Sequence, residues 1–404
     1  MRSLLRLVVF AATTFAQAQN EVQPENWEAD QCDCFLTDGV EPEYYTEHAF
    51  WDFRSLSDYA GVPDIIAGEN SSAEADFTSK YFKKKEWKDF WGIQSWSNRR
   101  SNGLAYGARF PMVNSPNNIY IQPNDDKNPA SDTYLTMRTN RLRTFQGASE
   151  FDSLDHFQYL SIRFLGRTRG EPGACMAMFT YVPADEIKNI QEADLEMLTR
   201  EDTDRIHYTN HPGYSIEGEV FPKATRNTTL PDDLHWGDWV EHRLDWTPTQ
   251  SIWYANGIET ANIAFQVPRD PSLMIFNTWG DGGVWVGNMT LNGEAYMQIQ
   301  WIEMVYNISE TESDSKRKRH LDRRSSLSLR DFGPQGKLQR HKRDSPENEC
   351  RMVCSIDEGG GAGAVTWLWG NSTAPRVFVG ESFGGAVIFL TAWVIGLTAF
   401  LWYV

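Results

Sequence analysis

Cysteine is scarce in this 404-residue chain: there are five, and nothing around them has zinc-ligand spacing, which excludes a zinc-built fold. Positive charge is in the minority, 38 Lys and Arg against 55 Asp and Glu, for a net charge of −17. A chain of that sign gives no reason to expect a nucleic-acid partner. Between residues 30 and 310 a sustained helical period is missing, as are helices alternating with strands and any internal repeat. A parallel α/β sheet and a repeat array are therefore set aside.

Where basic residues do gather, they do so abruptly. Residues 315–345 hold eleven Lys or Arg against three Asp, including Lys316–Arg319 and Lys342–Arg343. The stretch is rich in Ser and has no apolar periodicity. It reads as part of a solvated basic and Gly/Ser-rich linker over 311–382, not as a nucleic-acid site. Its dibasic pairs suit a kexin-like protease, and a cut there is expected to free the body from whatever follows.

The two ends of the chain point to a secreted protein held at a membrane. Arg2 and Arg6 precede an apolar stretch and then Ala16–Ala18, the pattern of a signal peptide over residues 1–18. Five Asn-x-Ser/Thr sequons, at Asn70, Asn227, Asn288, Asn307 and Asn371, suit the same compartment. From Phe383 to Val404 no residue is charged, and such a run is long enough to span a bilayer. Residues 383–404 are either a retained transmembrane helix or a GPI-attachment signal cut near Asn371–Thr373. Both readings place the body at the extracellular face of the cell surface or in the wall.

In that oxidising compartment an odd number of cysteines leaves one unpaired. Cys32 and Cys34 stand before the body, and Cys350 and Cys354 after it. Bridges across those two ends fit, with the connectivity open. Cys175 lies in an apolar strand pattern and reads as a buried free thiol.

The body, residues 19–310, alternates like β-strands. Thr133–Leu142, His156–Gly166, Ala174–Val182, Glu192–Thr199, Trp239–Thr247, Ile252–Asn256, Leu273–Trp279 and Met297–Ile308 all carry β-branched and aromatic residues at period two. Asn256–Gly257 and Gly280–Gly283 supply turn chemistry. The one helix candidate is Ser79–Trp91. The fold class expected is all-β, an antiparallel two-sheet β-sandwich of jelly-roll type with a C-terminal membrane-anchoring segment.

Within this pattern, Glu192, Asp194 and Glu196 fall two apart and project from one face of a strand, with Ala193 and Leu195 on the other. Three acids in a row repel one another, and folding alone gives no reason to line them up. Side chains leaning together from positions 192 and 196 can bring their carboxyls to about 5–6 Å, the spacing for a nucleophile and an acid/base acting on one glycosidic bond. Sixteen Trp exceed the needs of packing and suit stacking on sugar rings. Trp246 and Trp301 read as core, whereas Trp279 and Trp285 flank a Gly-rich loop and read as cleft.

Four blocks in order resemble glycoside hydrolase family 16. They are the apolar strand ACMAMFTY at 174–181, EADLE at 192–196, LDWTPTQSIWYANG at 244–257 and PSLMIFNTW at 271–279. The build around them is similar to fungal cell-surface members. The resemblance implies a concanavalin A-like sandwich and a polysaccharide substrate, with Glu192 as nucleophile, Glu196 as acid/base and Asp194 tuning the pair. It implies sugar contacts from Asn277 and Trp279, and Trp285, beside the Gly-rich loop, and Tyr181 are taken as further substrate-binding candidates. It implies no metal or other cofactor in the chemistry; calcium on the far sheet enters by resemblance only. Ala193 stands where the family has a larger aliphatic, and Val240 and His242 replace its His and Tyr before the Asp-Trp pair. The expected activity is retaining endo-hydrolysis of β-1,3 or β-1,3/1,4 glucan. Cell-wall transglycosylation and non-catalytic glycan binding stay open beside it.

Overall fold

The computed structural model describes residues 28–98, 107–184, 186–308 and 350–370. The expected signal peptide, residues 309–349, Asn371 and the apolar tail at 383–404 lie outside them. Among the described residues no helix is long and apolar enough to cross a membrane.

In chain order the strands are β1 (Cys34–Leu36), β2 (Tyr44–Tyr45), β3 (Glu47–Asp52), β4 (Trp91–Ile93), β5 (Trp96–Ser97), β6 (Met112–Asn114) and β7 (Ile119–Pro123). Then come β8 (Thr133–Arg141), β9 (Gln146–Ser153), β10 (Phe157–Gly170), β11 (Cys175–Val182), β12 (Gln191–Leu198), β13 (Arg205–His211) and β14 (Thr225–Thr229). The last are β15 (Val240–Trp246), β16 (Ser251–Ala255), β17 (Ile258–Ile263), β18 (Leu273–Trp279), β19 (Glu294–Ile308), β20 (Met352–Ser355) and β21 (Thr366–Gly370).

Two antiparallel layers face each other. The front layer runs β14, β13, β12, β11, β18, β9, β4 through its ladders. The back layer runs β17, β16, β15, β10, β19, with the long β19 then paired to β3 along one half and to β8 along the other. Every strand named from alternation is present, with ends moved by a few residues. The turn at Asn256–Gly257 has positive φ at both positions (47° and 78°), the geometry a two-residue hairpin needs and Asn-Gly supplies. The helix expected over Ser79–Trp91 is instead a 3-10 turn, Lys80–Lys83, and one α turn, Lys85–Lys88. Lys84 breaks them apart with extended backbone (φ −70°, ψ 153°), and the segment is held by burying Tyr81, Phe82 and Trp87.

The core lies between the layers, where Met176, Met178, Ala193, Leu195, Met197, Ile206, Tyr208 and Phe276 of the front meet Leu160, Ile162, Phe164, Leu244, Trp246 and Ile302 of the back. Full burial of each large apolar side chain contributes about 1.5–3 kcal/mol. Period two then forces the intervening front-layer residues outward, and these carry the acids. Trp246 belongs to this core, and Trp301 is buried on the outer face of the back layer beside Phe50.

The linker expected over 311–382 is shorter than that on its C-terminal side, because residues 350–370 fold onto the body. β20 pairs in parallel with β1, which pairs with β2. Disulfides Cys32–Cys354 and Cys34–Cys350 lock this small sheet across 322 and 316 residues of sequence. Phe35, Tyr45, Cys354, Ile356 and Val365 give it an apolar cluster with Val305 of β19. Asp357 anchors it by accepting from Arg163 Nη1 (3.2 Å) and Arg243 Nη1 (3.1 Å) on the outer face of the back layer. Cys175 is buried and unbridged, as its strand position suggested.

Candidate active site

β12 carries Glu192, Asp194 and Glu196 on the open face of the front layer, with Ala193 and Leu195 fully buried behind them. Antiparallel register decides what stands beside each acid. Glu192 is opposite Tyr181 of β11 and His211 of β13; Asp194 is opposite Phe179 and Thr209; Glu196 is opposite Ala177 and His207. One strand further, Ala177 faces Asn277 of β18, and Asn277 faces Glu150 of β9. The three acids therefore share a face with Tyr181, Asn277 and Trp279.

Asp194 is buried and Glu192 and Glu196 are half-buried. Asp194 is 3% exposed, and its Oδ2 lies 2.8 Å from His211 Nε2. The Glu192 carboxyl is its second hydrogen-bonding neighbour. Burial, reinforced by the charge of Asp194, pushes the Glu192 carboxyl well above the usual range, with His211 pulling the other way. Asp194 is pushed up as well, by burial first and then by Glu196. Each carboxyl opposes ionisation of the other, so the pair favours keeping a shared proton over losing both.

Glu196 is set from two sides. Its Oε1 accepts from the Cys175 thiol (3.2 Å) and from Trp285 Nε1 (3.2 Å). The thiol is itself pushed well up by burial and by Glu196, so it stays a donor. Trp285 is 41% exposed and lies edge-on to His207, 5.1 Å between ring centres, while His207 Nε2 meets Glu201 Oε2 at 2.6 Å. Trp279 is half-buried against Cys175, Ala177, Leu198 and Val286. Both cleft tryptophans thus flank the Glu196 end, and Tyr181, packed edge-on to Phe179, marks the Glu192 end.

A second acidic pair on the same face escapes the sequence reading. Glu150 accepts from Asn277 Nδ2 (3.4 Å) and Asn114 Nδ2 (3.3 Å), and burial pushes its carboxyl up. Burial and the neighbouring Glu150 push Asp152 up to about 8. The available signal is the same alternation as in β12, here Glu150–Phe151–Asp152. His207 and His211 escape it too, although two of the chain's eight histidines fall four apart on one strand, which places both on one face.

Glu192, Asp194 and His211 present one carboxylate oxygen each and an imidazole nitrogen within 4.8 Å of one another, a set able to hold a divalent ion. Among the described residues this group, not one on the far sheet, has that spacing. Chemically the site offers two neighbouring carboxyls that resist ionising together, a third carboxyl with its own donors, and aromatic walls. That is the equipment for acid/base and nucleophilic attack at an acetal carbon.

Neither a protein-family model nor a curated protein matches the chain. Several solved structures are similar to it at low identity. A β-glucanase of Bacillus licheniformis is 18% identical, with 54% of this chain and 92% of that one covered and a TM-score of 0.41. For the laminarinase catalytic domain of Thermotoga maritima the figures are 16%, 55%, 93% and 0.42. For a glycoside hydrolase family 16 endo-glucanase of Bacteroides ovatus they are 14%, 54%, 95% and 0.43. The fold and the site described above stand on their own geometry.

Proposed function

We propose that the chain is a retaining endo-β-glycosidase of the family 16 type, acting on β-1,3 or β-1,3/1,4 glucan. The observation that carries the reading is the row Glu192, Asp194, Glu196 on one open sheet face, with Asp194 tied to His211 and Glu196 to Cys175 and Trp285. In the first step Glu192 attacks the anomeric carbon, the bond to the leaving oxygen breaks, and Glu196 gives that oxygen its proton. In the second, Glu196 takes a proton from water, and the new oxygen displaces Glu192. Asp194 takes the proton the buried pair shares, which leaves Glu192 as the anion that attacks, and His211 Nε2, 2.8 Å from Asp194 Oδ2, holds the Asp194 carboxyl in place.

The glucan class comes from the four sequence blocks and not from the geometry. A sugar hydroxyl in place of water turns the same cycle into transglycosylation. The secretory route, the membrane-held tail and the wall-facing location belong to this reading too, supported by the terminal patterns of the sequence.

Incubation of the purified protein with laminarin, lichenan, chitin oligomers and xyloglucan tests it. Shorter products whose new reducing ends first appear with retained β configuration support hydrolysis, and longer products support transfer. Unchanged glycan with all four, and binding unaffected by Glu192→Gln, would replace the enzyme with a glycan-binding protein.

A further inference from the structure

Four of the sequons lie among the described residues, Asn70 on a short helix (Glu69–Ala73) and Asn227, Asn288 and Asn307 in strands or loops, and the fold treats the last three differently. The Asn307 side chain is consumed: its Oδ1 accepts from Thr46 N (3.1 Å), and its Nδ2 donates to Tyr44 O (3.4 Å). Asn227 and Asn288 are exposed. Asn227 sits on β14, the outermost strand of the front layer, in register with His207, which is itself in register with Glu196. Residues opposite one another in an antiparallel ladder point to the same face, so Asn227 stands on the acid face about 10 Å, two strand spacings, from Glu196. Asn288 is three residues after Trp285, whose indole lies on Glu196 and His207.

We propose that Asn227 and Asn288 are N-glycosylated while Asn307 is not, and that the two glycans form a wall at the Glu196 end of the cleft. The proposal rests on the secretory route inferred above. In the transfer, the amide Nδ2 attacks C1 of an oligosaccharide carried on a polyprenyl pyrophosphate. The new C–N bond forms as the C–O bond to pyrophosphate breaks, the lipid pyrophosphate leaves, and the amide nitrogen loses one proton. A bulky hydrophilic chain on β14 has a second effect. It covers a polar strand (Thr225–Thr229) at the edge of the layer, where a bulky glycan opposes pairing with another chain.

The test is expression of the full chain in a eukaryotic secretory host, enzymatic release of N-glycans in heavy-oxygen water, and peptide mass spectrometry. Labelled Asp at positions 227 and 288, with unlabelled Asn307, is the expected result. An unlabelled 227 in secreted protein overturns the proposal, and label at 307 in folded protein overturns its structural basis. No label at any sequon overturns both the proposal and the secretory reading. Occupancy is read by mass, so it stands or falls independently of any activity. For the wall, Asn227→Gln is expected to lose one glycan's gel shift and to raise kcat/KM on polymeric glucan relative to a short oligosaccharide. An unchanged ratio removes the wall.

Discussion

His211 Nε2 lies 2.8 Å from Asp194 Oδ2 across the β12–β13 ladder, so the middle acid of the trio is tied to a neighbouring strand. The tie gives the buried Asp194 carboxyl a partner besides Glu192. Replacing His211 by Ala removes a hydrogen bond to a charged group, about 1.5–3 kcal/mol, or about 10–100-fold in kcat. His211→Asn, which can still donate, should recover part of that loss. Steady-state kinetics on the responsive glucan decide between them, and equal activity of the His211→Ala variant and wild type would show that His211 has no positioning role.

Glu192→Gln and Glu196→Gln should each lower kcat by at least about 10²–10⁴-fold, the range for a positioned acid or base, while glucan binding persists. A retained kcat in either variant removes that residue from the chemistry.

Cys175 is expected to matter without touching substrate, because its thiol donates to Glu196 from a fully buried position. Cys175→Ala should lower kcat more than it raises KM, and Cys175→Ser, which restores a donor, should recover part of kcat. Identical kinetics for wild type and the Cys175→Ala variant would reduce the thiol to packing.

Stability should depend on pH through Asp152. Its folded carboxyl titrates at about 8 against an ordinary 3.8, so the folded state binds the extra proton. Its contribution is complete below 3.8 and is lost as pH rises through 8. His242, buried and pulled down to about 4 from 6.5, acts oppositely. Its stability is complete above 6.5 and lost as pH falls through 4. Between pH 6.5 and 8 Asp152 acts without opposition from His242, so Tm should decline, by about 2–4 °C for each kcal/mol lost. Asp152→Asn should flatten that decline, as thermal melts at a series of pH values would show.

The two disulfides close nearly the same loop, so their effects should not add. Either bridge alone already removes most of the chain entropy of a loop of 316 or 322 residues. Replacing the cysteines of one pair by Ser should therefore cost much less than replacing both, for which about 2–5 kcal/mol is expected. Denaturant melts of the three variants measure this.

The acid row was legible because period two sorts β12 without ambiguity: small and aliphatic residues at 193 and 195 must face a core, so 192, 194 and 196 cannot. The same rule, applied to His207–Tyr208–Thr209–Asn210–His211, failed for want of an apolar contrast, since Asn210 is fully buried by donating to the carbonyls of Ile263 and Phe265. A polar residue satisfied by backbone looks like surface in a sequence. Cys175 under Glu196 depends on which strands become neighbours, and so does Glu150 beside Asn277. No local pattern carries that. The small sheet of residues 34–45 and 350–370 was hidden by the basic stretch before it, which marks a composition change but not where the change ends.

The cross-linked sheet alters what a protease can accomplish. A cut among the dibasic pairs of 316–343 was expected to free the body, yet residues on both sides of that stretch are bridged through Cys32–Cys354 and Cys34–Cys350. A nicked molecule would run as one species on a non-reducing gel and as two fragments after reduction. Separating the two pieces would then require a reductant as well as a protease, and maturation by cleavage would yield a disulfide-linked two-chain protein.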